Sequence, residues 1–326
     1  MPGKEDAARG RMDSLTKEAR ELPDSSPITI VGLGELIWDL LPAGKQLGGA
    51  PANFAYISGL LGNESIVASR IGADDPGREA LARLEQMNVS TRHLQIDASH
   101  PTGTVRVELD ARGEARFAMN ENSAWDYLEW TQSWAELAGR ADGVCFGTLG
   151  QRAIQARRTI IRFLEQTRPR ALRVFDVNLR HSFFDIHMLS QSLELATVVK
   201  LNLEELSTIA AMLNLPAQED EAIARQLLER FSLELIAVTR GGRGSLLVAP
   251  AADAVEHPGF SVEVKDTIGA GDAFLAALVH FYLRRAPLPF ISEAANRMGS
   301  WVATQAGATP ATTPQMLSQM FADLTA

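Results

Sequence analysis

A chain of 326 residues with 46% hydrophobic and 22% charged side chains can bury the core of one large α/β unit or two average domains, which excludes a mini-protein and a disordered chain. Its 31 basic and 40 acidic side chains leave a net charge of −9, so no cationic excess is available for nucleic acid or an anionic membrane, and neither is an expected partner. Cys145 is the one cysteine, no apolar run approaches the ~18 residues of a membrane span, and the N-terminus lacks a signal-peptide block, so the chain reads as cytoplasmic.

Residues 1–26 interleave both charge signs with few large apolar side chains and read as a tail outside the fold, with 27–326 as the folded body. From 28, ITIVGLGELIWDLLP is an apolar run, a glycine and a second apolar stretch holding two acids, which predicts a buried strand ending in a loop. Further apolar runs at 65–72, 143–150, 172–179, 197–202, 233–241 and 244–249 predict strands. Between most of them lie helical spacings: ANFAYISGLLG, GREALARLEQMN, RRTIIRFLEQT, EAIARQLLERF and DAFLAALVHFYLRR. This alternation predicts an α/β fold, a three-layer α/β/α sandwich around a mainly parallel sheet.

One segment breaks the alternation. TVRVEL and EARFAM flank the polar turn Asp110-Ala111-Arg112-Gly113, which predicts a hairpin with Val105, Val107 and Leu109 facing a partner or ligand and Thr104, Arg106 and Glu108 facing out. This is a small β lid, mainly about 93–122, with 40–48 as a further candidate part. An apolar lid face would favour a homodimer in which lids cover each other. Trp125, Trp130 and Trp134 follow at roughly helical spacing and predict a packed face beneath the lid. The six histidines show no metal-binding spacing and are given solvated or packing roles.

The sharpest chemical signal is Asp266-Thr267-Ile268-Gly269-Ala270-Gly271-Asp272, followed at once by an apolar helix. Glycines allow close backbone approach, and a helix start presents unpaired N–H groups and a positive dipole end, which makes an anion site. The charge of Asp272 would repel a bound phosphate, so the acid needs another reason to stand there. Accepting a proton from a sugar hydroxyl that attacks the γ-phosphoryl group supplies one. The alternative is an ordinary glycine turn with an acidic helix start.

Gly48-Gly49-Ala50-Pro51-Ala52-Asn53 opens another helix. Its glycines would let substrate hydroxyls reach the main chain and Asn53 offers both donor and acceptor, although taken alone these residues read better as a plain βα turn with proline in the first helical turn. Asp39, an acid between apolar neighbours, either clamps two hydroxyls or is a solvated loop acid.

GGAPAN and DTIGAGDAF together resemble the signatures of the ribokinase family, the PfkB-type carbohydrate kinases. The resemblance spans most of 27–326. It implies a ribokinase-like fold, ATP and Mg²⁺ as cofactors, Asp272 as catalytic base, Gly269, Ala270 and Gly271 as the anion hole, and Asp39, Gly48, Gly49 and Asn53 around the sugar. Asn202 and Glu205 resemble an N-x-x-E motif that organises Mg²⁺ and phosphate through water, and equally form a helix capping box. Thr239, Gly241 and Gly244 resemble a turn contacting nucleotide phosphates, or are a simple hairpin. Arg180, at the end of a strand, pairs with phosphate or substrate, or is a surface arginine. Asn296 and 303–308 fall where the family binds adenine and a monovalent cation, with Asp266 and the Ile268 carbonyl as possible K⁺ ligands. Residues 305–307 lack the basic residue of ribokinase, which leaves K⁺ dependence open.

The implied activity is ATP-dependent phosphorylation of a primary hydroxyl of a small sugar. Gly34-Glu35, Asp39, Pro42 and the GGAPAN form are closer to bacterial fructokinases than to ribokinase, which makes fructose the leading acceptor, with ribose, 2-keto-3-deoxygluconate and nucleosides open. No Walker A string occurs. Gly32-Leu33-Gly34 starts a dinucleotide fingerprint, but Ile37 stands at its third glycine, so a dehydrogenase is weakly supported. A non-catalytic sugar-binding regulator is the remaining alternative, and the intact Asp272 argues against it.

Overall fold

The computed structural model describes residues 28–41, 44–109, 115–180 and 183–324. The tail at 1–26, Pro42, the turn at 110–113 and His181 lie outside the described residues.

The first strands are β1 (Thr29–Leu33), β2 (Ile37–Leu41), β3 (Gly44–Gly48), β4 (Glu64–Ala68), β5 (Arg70–Gly72), β6 (Gln95–Asp97), β7 (Gly103–Leu109) and β8 (Ala115–Met119). They are followed by β9 (Gly143–Gly147), β10 (Leu172–Asp176), β11 (Val198–Asn202), β12 (Leu235–Thr239), β13 (Ser245–Val248) and β14 (Val255–His257). The helices are α1 (Ala50–Leu60), α2 (Asp75–Gln86), α3 (Gln132–Arg140), α4 (Ile154–Glu165), α5 (Ile186–Leu195), α6 (Leu203–Met212), α7 (Asp220–Phe231), α8 (Ala270–Leu283), α9 (Leu288–Ala303) and α10 (Pro314–Met320).

An 8-stranded sheet runs β14-β13-β12-β11-β10-β9-β1-β4. It is parallel from β4 to β12 and antiparallel at β13 and β14. Strand side chains alternate between faces, so neighbouring residues feed different cores. Val31, Phe146, Phe175 and Ile236 join Trp134, Phe163, Leu189 and Leu227 on one side, whereas Ile30, Cys145, Val174 and Leu235 join Phe54, Leu84, Leu278 and Met298 on the other. Burial on both faces is why these strands read as continuous apolar runs. The result is the expected three-layer α/β/α sandwich.

A 4-stranded sheet, β3-β2-β7-β8, stands beside this body. The stretch expected to be a loop after β1 is strand β2, because its side chains also split between two faces. Ile37 enters a small cluster with Val105, Trp125 and Leu149, while Trp38 turns the other way and donates its indole N–H to the Pro76 carbonyl at 2.9 Å. From the 93–122 segment, β6 pairs with β5 in a separate 2-stranded sheet. The three tryptophans share no helix face: Trp125 lies under the small sheet, whereas Trp130 and Trp134 both meet Phe163 edge-on. Val105 is buried and Arg106 exposed, as alternation requires.

Helix α1 lies so close to β1 that a Cβ on Gly32 would stand 2.0 Å from the Pro51 carbonyl oxygen. Backbone cannot yield there. Gly32→Ala is expected to cost about 3 kcal/mol or more in stability, read as a lowered urea midpoint. A midpoint within error of the parent would show that α1 can slide off the strand.

Candidate active site

Strands β1 and β9 are neighbours whose onward connections leave in opposite directions, and open α/β sheets keep their crevice at the carboxyl ends of such a pair. Glu35 follows β1 by two residues. It is only 2% exposed, its carboxylate takes the backbone N–H of Ala50 at the start of α1, and Oε2 has no partner. Burial pushes its pKa up to about 7, helped by the charge of Asp272 and opposed by Arg180.

The glycines of the GGAPAN segment have a packing reason. A Cβ on Gly48 would stand 2.6 Å from Asp39 Oδ2, and one on Gly49, whose φ is +105°, 2.6 Å from the Glu35 carbonyl oxygen. Neither position has room for a side chain, whatever else its backbone meets. Asp39, on β2, has its pKa raised by burial and opposed by Arg180.

Asn53, in the second turn of α1, donates from Nδ2 to Asp272 Oδ2 at 2.8 Å, a contact across 219 residues, while its Oδ1 is buried without a partner. Asp272 sits in the first turn of α8, which starts at Gly269 in a left-handed conformation, φ 77°. Gly269 is required twice over: a side chain there would be strained, and its Cβ would lie 2.4 Å from Ala308. The first-turn amides of a helix have no intrahelical carbonyl to pair with, and here that of Ala270 leans on the Thr267 carbonyl at 3.3 Å.

Sequence reasoning missed the cation at this turn. Lys200, on β11, is 8% exposed, and its Nζ donates to Asp176 Oδ1 at 3.0 Å. A Cβ on Gly271 would lie 2.9 Å from that ammonium. Burial works against its charge, yet Asp176, Glu205 and Asp272 outweigh the desolvation and hold its pKa above the ordinary value. Asp272 is pushed up to about 6 by burial and by Asp176, against Lys200, Asn53 and Arg180. The available signal was a lone lysine inside an apolar strand.

Arg180 is exposed beyond the end of β10, and its charge lowers the pKa of Glu35, Asp39 and Asp272. Asn202 and Glu205 form a complete capping box: Asn202 Oδ1 accepts from the Glu205 amide at 2.9 Å, and Glu205 Oε2 from the Asn202 amide at 2.8 Å. The other Glu205 oxygen accepts the Leu179 amide at 3.0 Å. The 239–244 segment is a hairpin between β12 and β13, and it also forms a wall. Thr239, Gly241 and Gly244 line one cleft of about 750 Å³ together with Asn202, Gly271 and Asn296. Phe260, Val262, Val264 and Phe274 make its apolar side. Asn296 spends its Nδ2 on Ser245 Oγ and the Ser292 carbonyl, both at 2.7 Å. Asp266 braces two turns, taking the amides of Ile268 at 3.0 Å and Gly307 at 3.1 Å, and the Ile268 side chain is exposed. Among the described residues, no three His, Cys, Asp or Glu side chains group as a metal site.

An acid whose folded-state pKa is raised to about 6 binds its proton more tightly than the unfolded chain does. The stability this contributes is full below about pH 4 and is lost as pH rises through 6. Asp272→Asn removes the loss. Discounted for partial exposure, the variant is expected to be about 2 kcal/mol more stable than the parent at pH 8, the two converging near pH 4 in urea titrations. A difference that does not change with pH would refute the electrostatic strain at this carboxylate.

Residues 42–316 match the pfkB family carbohydrate kinases. The chain is 34% identical over 259 residues to fructokinase of Salmonella typhimurium and 35% identical over 260 residues to fructokinase of Klebsiella pneumoniae, in each case covering 76% of this chain and 82% of the relative. Its fold superposes on a sugar kinase of Pyrococcus horikoshii with a TM-score of 0.77 at 27% identity, covering 92% of this chain and 100% of that one. For a Vibrio cholerae fructokinase with bound fructose, ADP and calcium ion, the TM-score is 0.75 at 25% identity, covering 92% and 99%. A match over this much of the chain, joined to relatives above 30% identity, settles the classification: the chain belongs to the pfkB family of carbohydrate kinases.

Proposed function

We propose that this sugar-phosphorylating enzyme transfers the γ-phosphoryl group of ATP to a primary hydroxyl of fructose, with Asp272 as general base. The observation that carries the reading is the placement of Asp272: one carboxylate, hydrogen-bonded to Asn53, stands in the first turn of α8 with Lys200 beside that turn. Fructose is favoured because relatives at 34% and 35% identity are fructokinases.

In this reading Asp39 and Asn53 hold the sugar, and the unpartnered Oδ1 of Asn53 is an acceptor for one of its hydroxyls. The cleft lined by Asn202, Thr239, Gly241, Gly244, Gly271 and Asn296 takes the nucleotide, its base against the apolar side. The amides of Gly269, Ala270 and Gly271, with Lys200 and Arg180, meet the charge on the transferring group. Asp272 removes the hydroxyl proton as oxygen attacks phosphorus.

The donor set suits Mg²⁺ only as a guest of the phosphates, since both Glu205 oxygens already accept backbone amides. Glu205 would then act through water. A bound Mg²⁺ neutralises phosphate charge during transfer. Asp266, with both oxygens on amides, would meet K⁺ at remaining lone pairs beside the Ile268 carbonyl. The small sheet is the element suited to cover the sugar and exclude water.

A coupled ADP-release screen of sugars, ketoacids and nucleosides, with Mg²⁺ and with or without K⁺, tests the acceptor. Fructose is expected to give the highest kcat/KM, and a different best acceptor would overturn that choice. Because the base must be ionised, kcat/KM is expected to fall as pH drops through about 6. Asp272→Asn should lower kcat by about 10³-fold or more with nucleotide affinity nearly intact. Turnover close to the parent would refute the base assignment.

A further inference from the structure

Strand β3 is one of the two outer strands of the small sheet, and its two faces make different contacts. On one face Lys45 ion-pairs with Glu79 of α2 and lies 5.0 Å from the centre of the Trp38 ring. Gln46 projects from the other face, in direct antiparallel register with Asp39. Side chains so opposed stand about 5 Å apart, and the face they share also carries Ile37 and Val105, which pack against Trp125 of the body.

The Gln46 side chain reaches beyond the small sheet. Its amide lies against Gly307, so near that a Cβ there would be 2.8 Å from Oε1 and 3.3 Å from Cδ. Gly307 has φ +76°, and its amide donates to Asp266 Oδ2 at 3.1 Å, while Asp266 Oδ1 takes the Ile268 amide. The next residue, Ala308, is the one against which Gly269 packs. Contacts therefore run without a break from the Asp39 strand, through Gln46 and Gly307, to the turn that starts α8.

We propose that Gln46 is a positioning residue that couples the acceptor strand to the phosphoryl-donor turn, so that a sugar at Asp39 and a nucleotide at Gly269–Gly271 each strengthen binding of the other. This rests on the acceptor and donor subsites assigned above. The side chain suits the task physically. It is long enough to cross, and it is neutral: a carboxylate would face the carboxylate of Asp266 behind the same turn, and an ammonium would draw Asp266 from its two amides. Glycine at 307 leaves the space that the amide fills and accepts the positive φ.

The test compares Gln46→Ala with the parent. Binding of β,γ-methylene-ATP is titrated with and without saturating fructose. For the parent, fructose is expected to tighten the nucleotide by about fivefold or more. In the variant that ratio should fall below about twofold while each ligand alone binds within about twofold of the parent. Amide exchange across 304–308, measured without any ligand, should accelerate in the variant as Gly307 loses its cover. Coupling kept in the variant, or absent from the parent, would overturn the proposal. So would a selective loss of affinity for fructose alone, which would make Gln46 a sugar ligand. If the parent fails to phosphorylate fructose, the acceptor assignment has failed, and the exchange result decides the Gln46 contact alone: unchanged exchange sinks it.

Discussion

One buried ammonium makes the rest of the site possible. Asp176 is 2% exposed and Glu205 7%, and with Asp272 close by, these three carboxylates would repel one another and resist desolvation if nothing answered them. Lys200 answers all three, and its Coulomb attraction to Asp176 at 3.0 Å, about 5 kcal/mol at an effective dielectric of 20, offsets the cost of taking both charges out of water. The balance is deliberately incomplete in effect, since Asp272 still has its pKa raised to about 6. A carboxylate in that range is ionised at neutral pH yet basic enough to accept a proton, which is the condition a general base must meet.

The fold was legible because its strands are buried on both faces. Runs such as GVCFG and VVKLN are apolar apart from the buried Lys200 and the exposed terminal Asn202, and their alternation with helical spacings left few architectures open. Elements without a periodic apolar signature were harder to read: 40–48 is only a further candidate part of the lid, and no strand is expected at 255–257. Strand β3, GKQLG, is exposed over its first three residues and among the described residues pairs only with β2, and β14 is three residues long at the sheet edge. Asp39 reads from the sequence equally as a clamp for two hydroxyls and as a loop acid for the same reason: the alternation of Ile37 and Trp38 has meaning only once the small sheet exists to bury one and α2 to take the other.

The glycine motifs were legible as motifs, but part of their physical cause was not. Spacing suggests room for a ligand, whereas Gly48, Gly49 and Gly269 each face another part of the protein closer than a side chain permits. These contacts depend on how the hairpin of β2 and β3 closes and on how Ala308 returns to Gly269, so the spacing of the glycines does not foretell them. Glu35 and Lys200 show the complementary failure. Each is a charged residue whose meaning comes from its neighbours across the sheet: Glu35 stands in no local pattern that separates it from a solvated acid, and Lys200 is marked only by its place inside an apolar strand.

Asp272 reaches the crevice by a different route from the residues at the strand ends. Asn202 and Thr239 close their strands, and Glu35 and Arg180 follow theirs by a few residues, so the sheet itself sets their height. Asp272 belongs to a helix whose residues from Ala273 through Val279 are buried on every side, packed between α1 and α9. An apolar helix without a wet face cannot rotate or slide without exposing part of that surface, at about 25 cal/mol for each Å². The same burial fixes α1 against it, and thereby Asn53 against Asp272. Precision at the carboxylate is thus a product of the core on one side of the sheet, which is why the bond between two residues 219 positions apart can be as short as 2.8 Å without any covalent or metal tie.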